Sequence, residues 1–225
     1  MSMSSILNDC PLCAGAGFLR DDLSLDHPDF GHPIECECSR VQRRAELWEQ
    51  IWWRGYKSAR LTDFARSIRQ QVAGAVNAGR GLYICGPNGV GKTHLAMAIL
   101  REFGEELDGQ AVLVATLLDR VRAAFNPETK EVAAEVLDRF AAIPFLVLDD
   151  IGAEKPTPWA QEALFRLVYQ REANRDRITT IFTSNLTTAE LAGFYDVSGQ
   201  RITSRIEGMC GVIALAGADR RRRKE

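Results

Sequence analysis

No stretch of this 225-residue chain is apolar for long enough to span a membrane. Its start, Met1 to Cys10, has neither a basic leader nor a long apolar run, so no secretory signal is read there. No sign of charge dominates either. Lys+Arg total 28 against Asp+Glu 30, a net charge of −2, which removes any global electrostatic case for nucleic acid. These absences predict a cytoplasmic protein. Aromatic residues make up only 8% of the chain, and no platform for stacking single-stranded bases is evident. Cysteine is limited to six, and in that compartment metal or free thiols come before disulfides.

What is present is ordinary in bulk and sharp in detail. The chain is 46% apolar and 26% charged, as in soluble globular proteins, and its length allows one full domain plus a small appendage. Residues 1–40 hold seven acidic and two basic side chains, while Arg220 to Lys224 form a basic run.

The strongest signal is Gly86-Pro87-Asn88-Gly89-Val90-Gly91-Lys92-Thr93, which fits G-x-x-x-x-G-K-T, the Walker A phosphate loop. The apolar run Gly81 to Cys85 precedes it as a strand, and the helix formers His94 to Leu100 follow. Three glycines let the backbone curl so that its N–H groups form an anion nest, and the next helix adds its positive dipole end. Lys92 is expected on the β- and γ-phosphates of ATP, and the Thr93 hydroxyl on Mg²⁺.

From residue 81 strand and helix patterns alternate, which implies a parallel sheet with helices on both faces. Residues 111–116 read as the second strand and 117–125 as a helix that Asn126-Pro127 ends. Residues 131–142 read as a helix with Val132, Val136 and Phe140 on one face. Phe145 to Leu148 then runs into Asp149-Asp150, a Walker B pattern. Asp149 is expected to hold Mg²⁺ through water, together with Thr93, and Asp150 to polarise the attacking water. Thr157 and Pro158 read as N-cap and N1 of a long helix to about residue 175. Residues 178–185 form another strand, whose end residue Asn185 either sits beside the γ-phosphate or caps the helix over 187–194. A short helix over 199–208 puts Arg201 and Arg205 one turn apart on one face. The last strand covers 210–217.

The amino-terminal part differs. Cys10 and Cys13 form C-x-x-C with Gly15 and Gly17 behind them, and Cys36 and Cys38 form C-x-C. Four of the six cysteines in so short and polar a segment point to structural Zn²⁺, since the segment cannot bury enough surface to fold alone. C-x-C is a tight bite, so His27 or His32 could replace one of its cysteines. Residues 40–57 read as an amphipathic helix with Leu47, Trp48, Ile51 and Trp52 at helical spacing; it packs on the main domain or presents a partner-binding face. In the stretch 58–80, residues 61–64 read as a linker and helix cap and 65–78 as a helix.

The order of these motifs resembles the AAA+ ATPases of the DnaC/DnaI helicase-loader group, which includes IstB-type transposition ATPases. The resemblance rests on G-P-N-G-V-G-K-T-H-L-A, F-L-V-L-D-D-I-G, T-S-N and R-I-T-S-R-I, and covers residues 60–221. It implies a P-loop NTPase of three-layer αβα build, with an amino-terminal zinc-knuckle-like region over 1–57 that docks a partner and an AAA+ domain over 58–225. It implies ATP held at a subunit interface, hence self-association. Gly86 to His94 and Arg221 are then the nucleotide-binding set, with Arg220 nearly as good a sensor-2 arginine. Lys92, Asp149 and Asp150 match the Walker positions, Asn185 matches sensor 1, and Arg205 matches the arginine finger. Asp150 stands where most AAA+ proteins carry Glu, one methylene longer, so slow hydrolysis is expected. No helical lid fits after the last strand. The implied function is a loader that places the hexameric replicative helicase on single-stranded DNA; the alternative is an ATPase that regulates transposition.

Overall fold

The computed structural model describes residues 10–19, 34–39, 55–104, 107–125 and 132–220. Residues 40–54 of the amphipathic helix, His27, His32, Asn126-Pro127 and Arg221 lie outside the described residues. The chain divides into two compact units, residues 1–57 and 58–225. No described helix is long and apolar enough to cross a membrane.

In the first unit, β1 (Phe18–Leu19) pairs antiparallel with β2 (Ile34–Glu35). In the second unit, a 3₁₀ turn (Leu61–Asp63) leads into α1 (Arg66–Asn77). Then follow β3 (Gly81–Cys85), α2 (Lys92–Ile99), β4 (Gln110–Leu113), α3 (Val114–Ala123), α4 (Ala133–Ala142) and β5 (Phe145–Asp149). The chain continues with α5 (Pro158–Ala173), β6 (Thr179–Ser184), α6 (Thr188–Phe194), α7 (Gly199–Met209) and β7 (Cys210–Ala214).

The five longer strands form one parallel sheet in the order β4-β5-β6-β3-β7. Every residue of β3 and of β5 is buried, the pattern of strands covered on both faces. Tyr83, Cys85, Leu146, Leu148 and Phe182 pack on one face with residues of α3 to α7. The alternate residues Leu82, Ile84, Val147 and Ile181 are buried on the other face. β6 is inserted between β3 and β5, so the ends of the Walker A and Walker B strands flank the end of β6.

Three local readings change. The strand expected over 111–116 stops at Leu113 and the helix starts at Val114. Its β-branched residues suit a strand, but Val114, Leu117, Leu118 and Val121 recur at i, i+3, i+4, i+7, and all four are buried in a helix. Residues 61–64, read as a linker and helix cap, begin with the 3₁₀ turn, and Asp63 serves that turn. Its carboxylate accepts from the Arg60 backbone N–H at 2.9 Å, and the α1 cap, Ala65, has no side-chain bond. Asn185 does not cap α6, because Thr187 does so in a reciprocal capping box with Glu190. Thr157 caps α5 with Pro158 in its first turn, as the sequence indicates.

Candidate nucleotide site

Between β3 and α2 the backbone of Gly86, Gly89 and Gly91 is left-handed, with φ of 143°, 77° and 104°. Space reinforces conformation at two of these positions. A Cβ on Gly86 would lie 2.1 Å from the Leu215 carbonyl oxygen, and one on Gly89 1.9 Å from Asp219 Oδ1. The loop is therefore packed against residues 215–220, and the Arg220 N–H donates to the Gly89 carbonyl at 2.9 Å. No side chain caps the first turn of α2, so its N–H groups remain for an anion.

Lys92 is only 7% exposed. Its ammonium donates to the Pro87 carbonyl at 2.9 Å and to Asn185 Oδ1 at 2.7 Å. Both are neutral acceptors, an environment that favours an incoming anion. Thr93 Oγ1 donates to Asp149 Oδ1 at 3.0 Å, bringing the Walker A hydroxyl onto the Walker B carboxylate. Asp149 is 3% exposed, and burial raises its pKa against the opposing pull of hydrogen bonds from Thr183 and Thr93. A buried carboxylate beside a hydroxyl suits a hard cation such as Mg²⁺. Asp150 has φ 61°, and its carboxylate accepts from Asn185 Nδ2 at 3.1 Å. Asn185 thus joins Lys92 to Asp150.

The sequence reading missed the support beneath these groups. Thr183 Oγ1 donates to Asp149 Oδ1 at 2.6 Å and accepts from the Asp150 N–H at 2.9 Å. Glu154 is buried, accepting from the Gly152 N–H at 3.0 Å and from the Tyr195 hydroxyl, and so pins the turn after Walker B. The T-S-N run hinted at Thr183; nothing in the sequence linked Glu154 to Tyr195.

The other expected residues have partners of their own, though the Arg220 guanidinium also lies 3.5 Å from where a Cβ on Gly91 would sit. His94 Nε2 lies 2.7 Å from Asp63 Oδ2, with its ring 5.7 Å from the Phe64 ring. That hydrogen bond holds the Asp63 carboxyl below its ordinary pKa. Arg220 lies with its guanidinium 5.0 Å from the Phe64 ring centre. Arg205, on α7, pairs with Glu172 and stacks over Tyr169 at 4.6 Å. Near the start of α5, a group appears that the sequence left scattered. Phe125 is 62% exposed and meets the Trp159 ring edge-on at 6.1 Å, with the Arg122 guanidinium 4.8 Å from the Trp159 ring centre.

In the first unit the Sγ atoms of Cys10, Cys13, Cys36 and Cys38 all lie within 4.8 Å of one another. Cys13 and Cys38 are 3.3 Å apart, and Cys10 and Cys36 3.7 Å. Four thiolates around Zn²⁺ at about 2.3 Å stand about 3.8 Å apart, so the spacing fits. Ala14, Gly15 and Gly17 are left-handed, and the Gly17 N–H donates to Cys13 Sγ at 3.3 Å. Backbone N–H groups of Cys13 and Leu12 pull the Cys10 thiol down to about 6, whereas burial and the neighbouring thiols push Cys38 up. Four thiols this close need a cation before all can ionise.

Comparison with known proteins agrees with this geometry. Residues 59–225 match the family model described as IstB-like ATP binding protein. Over 171 residues the chain is 31% identical to the replicative helicase loader DnaI of Bacillus subtilis (strain 168), covering 72% of this chain and 52% of that protein. The chain thus spans about half the length of that curated relative. A crystal structure of DnaI matches 79% of this chain and 99% of its own, with 28% identity and a TM-score of 0.62. A crystal structure of the DnaC helicase loader matches 72% of this chain and 99% of its own, with 25% identity and a TM-score of 0.61. With the family model covering most of its length, the chain belongs to the IstB-like ATP binding protein family.

Proposed function

We propose that this protein is an ATP-hydrolysing loader that binds a hexameric replicative helicase and helps place it on single-stranded DNA. The observation that carries the proposal is the convergence of Lys92, Thr93, Asp149, Asp150 and Asn185 on one glycine loop, in a chain similar to DnaI. The test is complex formation with the host's replicative helicase, with and without ATP.

In this reading the Gly86–Gly91 backbone and the start of α2 hold the phosphates, and Lys92 leaves Pro87 and Asn185 to neutralise the β- and γ-oxygens. Thr93 and Asp149 hold Mg²⁺, which supplies charge neutralisation on the phosphates when bound. Asp150, oriented by Asn185, accepts a hydrogen bond from the attacking water. Being one methylene shorter than Glu, Asp150 leaves turnover slow until a partner is engaged. Arg205 is offered across a subunit interface to the γ-phosphoryl group of the neighbour's ATP.

Residues 1–57 form the helicase-docking part, held by Zn²⁺ on Cys10, Cys13, Cys36 and Cys38. Metal analysis of the purified chain is expected to find about one equivalent of zinc, lost on Cys13→Ser. Less than about half an equivalent contradicts the zinc reading.

Phe125, Trp159 and Arg122 support contact with single-stranded DNA. An exposed ring backed by a second ring and a guanidinium suits base stacking. Phe125→Ala is expected to weaken binding of an oligo-dT probe about tenfold in fluorescence anisotropy, in line with about 1–3 kcal/mol per stacked base. Unchanged affinity at low and moderate salt contradicts that role.

A further inference from the structure

Helix α5 presents Phe165, Tyr169 and Glu172 at i, i+4 and i+7, which puts the three side chains along one line of the helix. Two arginines of α7, one turn apart, lie on that line. The Arg201 guanidinium is 4.0 Å from the Phe165 ring centre. Arg205 is 5.4 Å from the Phe165 ring centre and 4.6 Å from that of Tyr169, and its Nη1 pairs with Glu172 Oε2. The Arg205 and Glu172 side chains are 29% and 23% exposed, so this ion pair is shielded more than a surface pair. By contrast, the pair between Arg166 on the same helix and Asp138 on α4 is 43% and 52% exposed. Arg205 Nε is buried and has no hydrogen-bond partner among the described residues. The guanidinium is therefore gripped at one nitrogen and one face.

We infer that Glu172 and Tyr169 are positioning residues for Arg205, which hold its guanidinium at a fixed height on α7 for the phosphoryl group of a neighbouring subunit. The inference rests on the reading of Arg205 as the donated arginine. The physical reason is entropy and orientation. A free arginine samples many rotamers, and each must be lost when the side chain engages a phosphate. An ion pair at Nη1 and a ring under the guanidinium plane remove that loss in advance, so the contact is ready when charge develops on the transferred group. Tyr169, half exposed, gains a purpose that core packing does not give it.

Mixing subunits tests this. Full-length Lys92→Ala has a dead nucleotide site but an intact Arg205. Full-length Arg205→Ala has an intact site but no arginine to offer. Mixed with ATP, Mg²⁺ and oligo-dT, the two should recover ATP turnover at the hybrid interfaces. Glu172→Gln, nearly isosteric, is then added to one chain at a time. In the Lys92→Ala chain it is expected to cut the recovered kcat about tenfold or more, with KM for ATP unchanged, because the arginine acts on the transition state. In the Arg205→Ala chain it is expected to change nothing. Tyr169→Leu should repeat this asymmetry. Equal losses in both placements mean that Glu172 only stabilises the fold, and no loss in either means that it does not position Arg205; each overturns the inference. If the parent mixture recovers nothing, the donated arginine itself is wrong and the inference falls with it.

Discussion

Lys92→Ala is expected to lower ATP turnover by about a thousandfold, with no loss of folded structure. The ammonium is buried, at 7% exposure, and donates to the neutral oxygens of Pro87 and Asn185. Such a group stabilises little without an anion but strongly favours charge that grows on a transferred phosphoryl oxygen, in a site dry enough for the attraction to act. Losing one preorganised electrostatic donor costs about a hundred- to a thousandfold in catalysis, and the loss of phosphate binding adds to that. Lys92→Arg should not rescue, since a planar fork does not fit a point-charge position between a carbonyl and an amide. Steady-state turnover and the far-ultraviolet circular dichroism of both variants check this. Turnover within about tenfold of the parent contradicts the account of the site.

The largest structural effect is expected at Arg171, which no site reading invokes. Its side chain is fully buried at the junction of α4, α5 and β6. Nη1 donates to the carbonyls of Phe140, Ala141 and Ile143 at 3.0, 3.1 and 2.9 Å. Nη2 donates to the Thr179 carbonyl at 2.8 Å and Nε to Thr180 Oγ1 at 2.7 Å. The first three carbonyls lie at the carboxy-terminal end of α4, where the helix leaves acceptors without partners and the dipole favours a cation. Burial pulls the Arg171 pKa down to about 9, which leaves the group charged at neutral pH. All five acceptors are neutral, so the group ties three elements together without a carboxylate. Arg171→Ala takes the guanidinium donor from four interior carbonyls and opens a cavity, and is expected to cost about 3–5 kcal/mol. Arg171→Lys cannot supply five donors in a planar fork and should cost nearly as much. By comparison, loss of the exposed Arg166–Asp138 pair at 3.0 Å should cost under about 1 kcal/mol. Urea unfolding followed by intrinsic fluorescence compares the three variants. A cost for Arg171→Ala as small as that for Arg166→Ala contradicts this view of the core.

What could be read in the sequence was what is local. Gly86 to Thr93 carries its chemistry in eight consecutive residues, and a glycine loop between an apolar run and a helix former stretch has few other meanings. Asp149 and Asn185 were legible because each ends a strand, and parallel strands bring their ends to one edge. The cysteine cluster was legible because C-x-x-C and C-x-C each fix two thiols at short range. Arg171, Glu154 and Tyr195 were not, because each partner lies on another element and a lone Arg or Glu in a helical pattern reads as solvated surface. The Phe125–Trp159 contact joins the turn after α3 to the start of α5, and no spacing rule connects them. The Leu113–Val114 boundary was misplaced because β-branched residues favour strands locally, while burial on the sheet demanded the helical period.

The most direct test of the loader proposal is co-elution of the full chain with the host's replicative helicase on a sizing column, with and without ATP. The account predicts a stable complex with the full chain and none with a chain lacking residues 1–57. Absence of a complex under every nucleotide condition, together with ATP-dependent binding of duplex DNA, would contradict the account and put the transposition reading in its place.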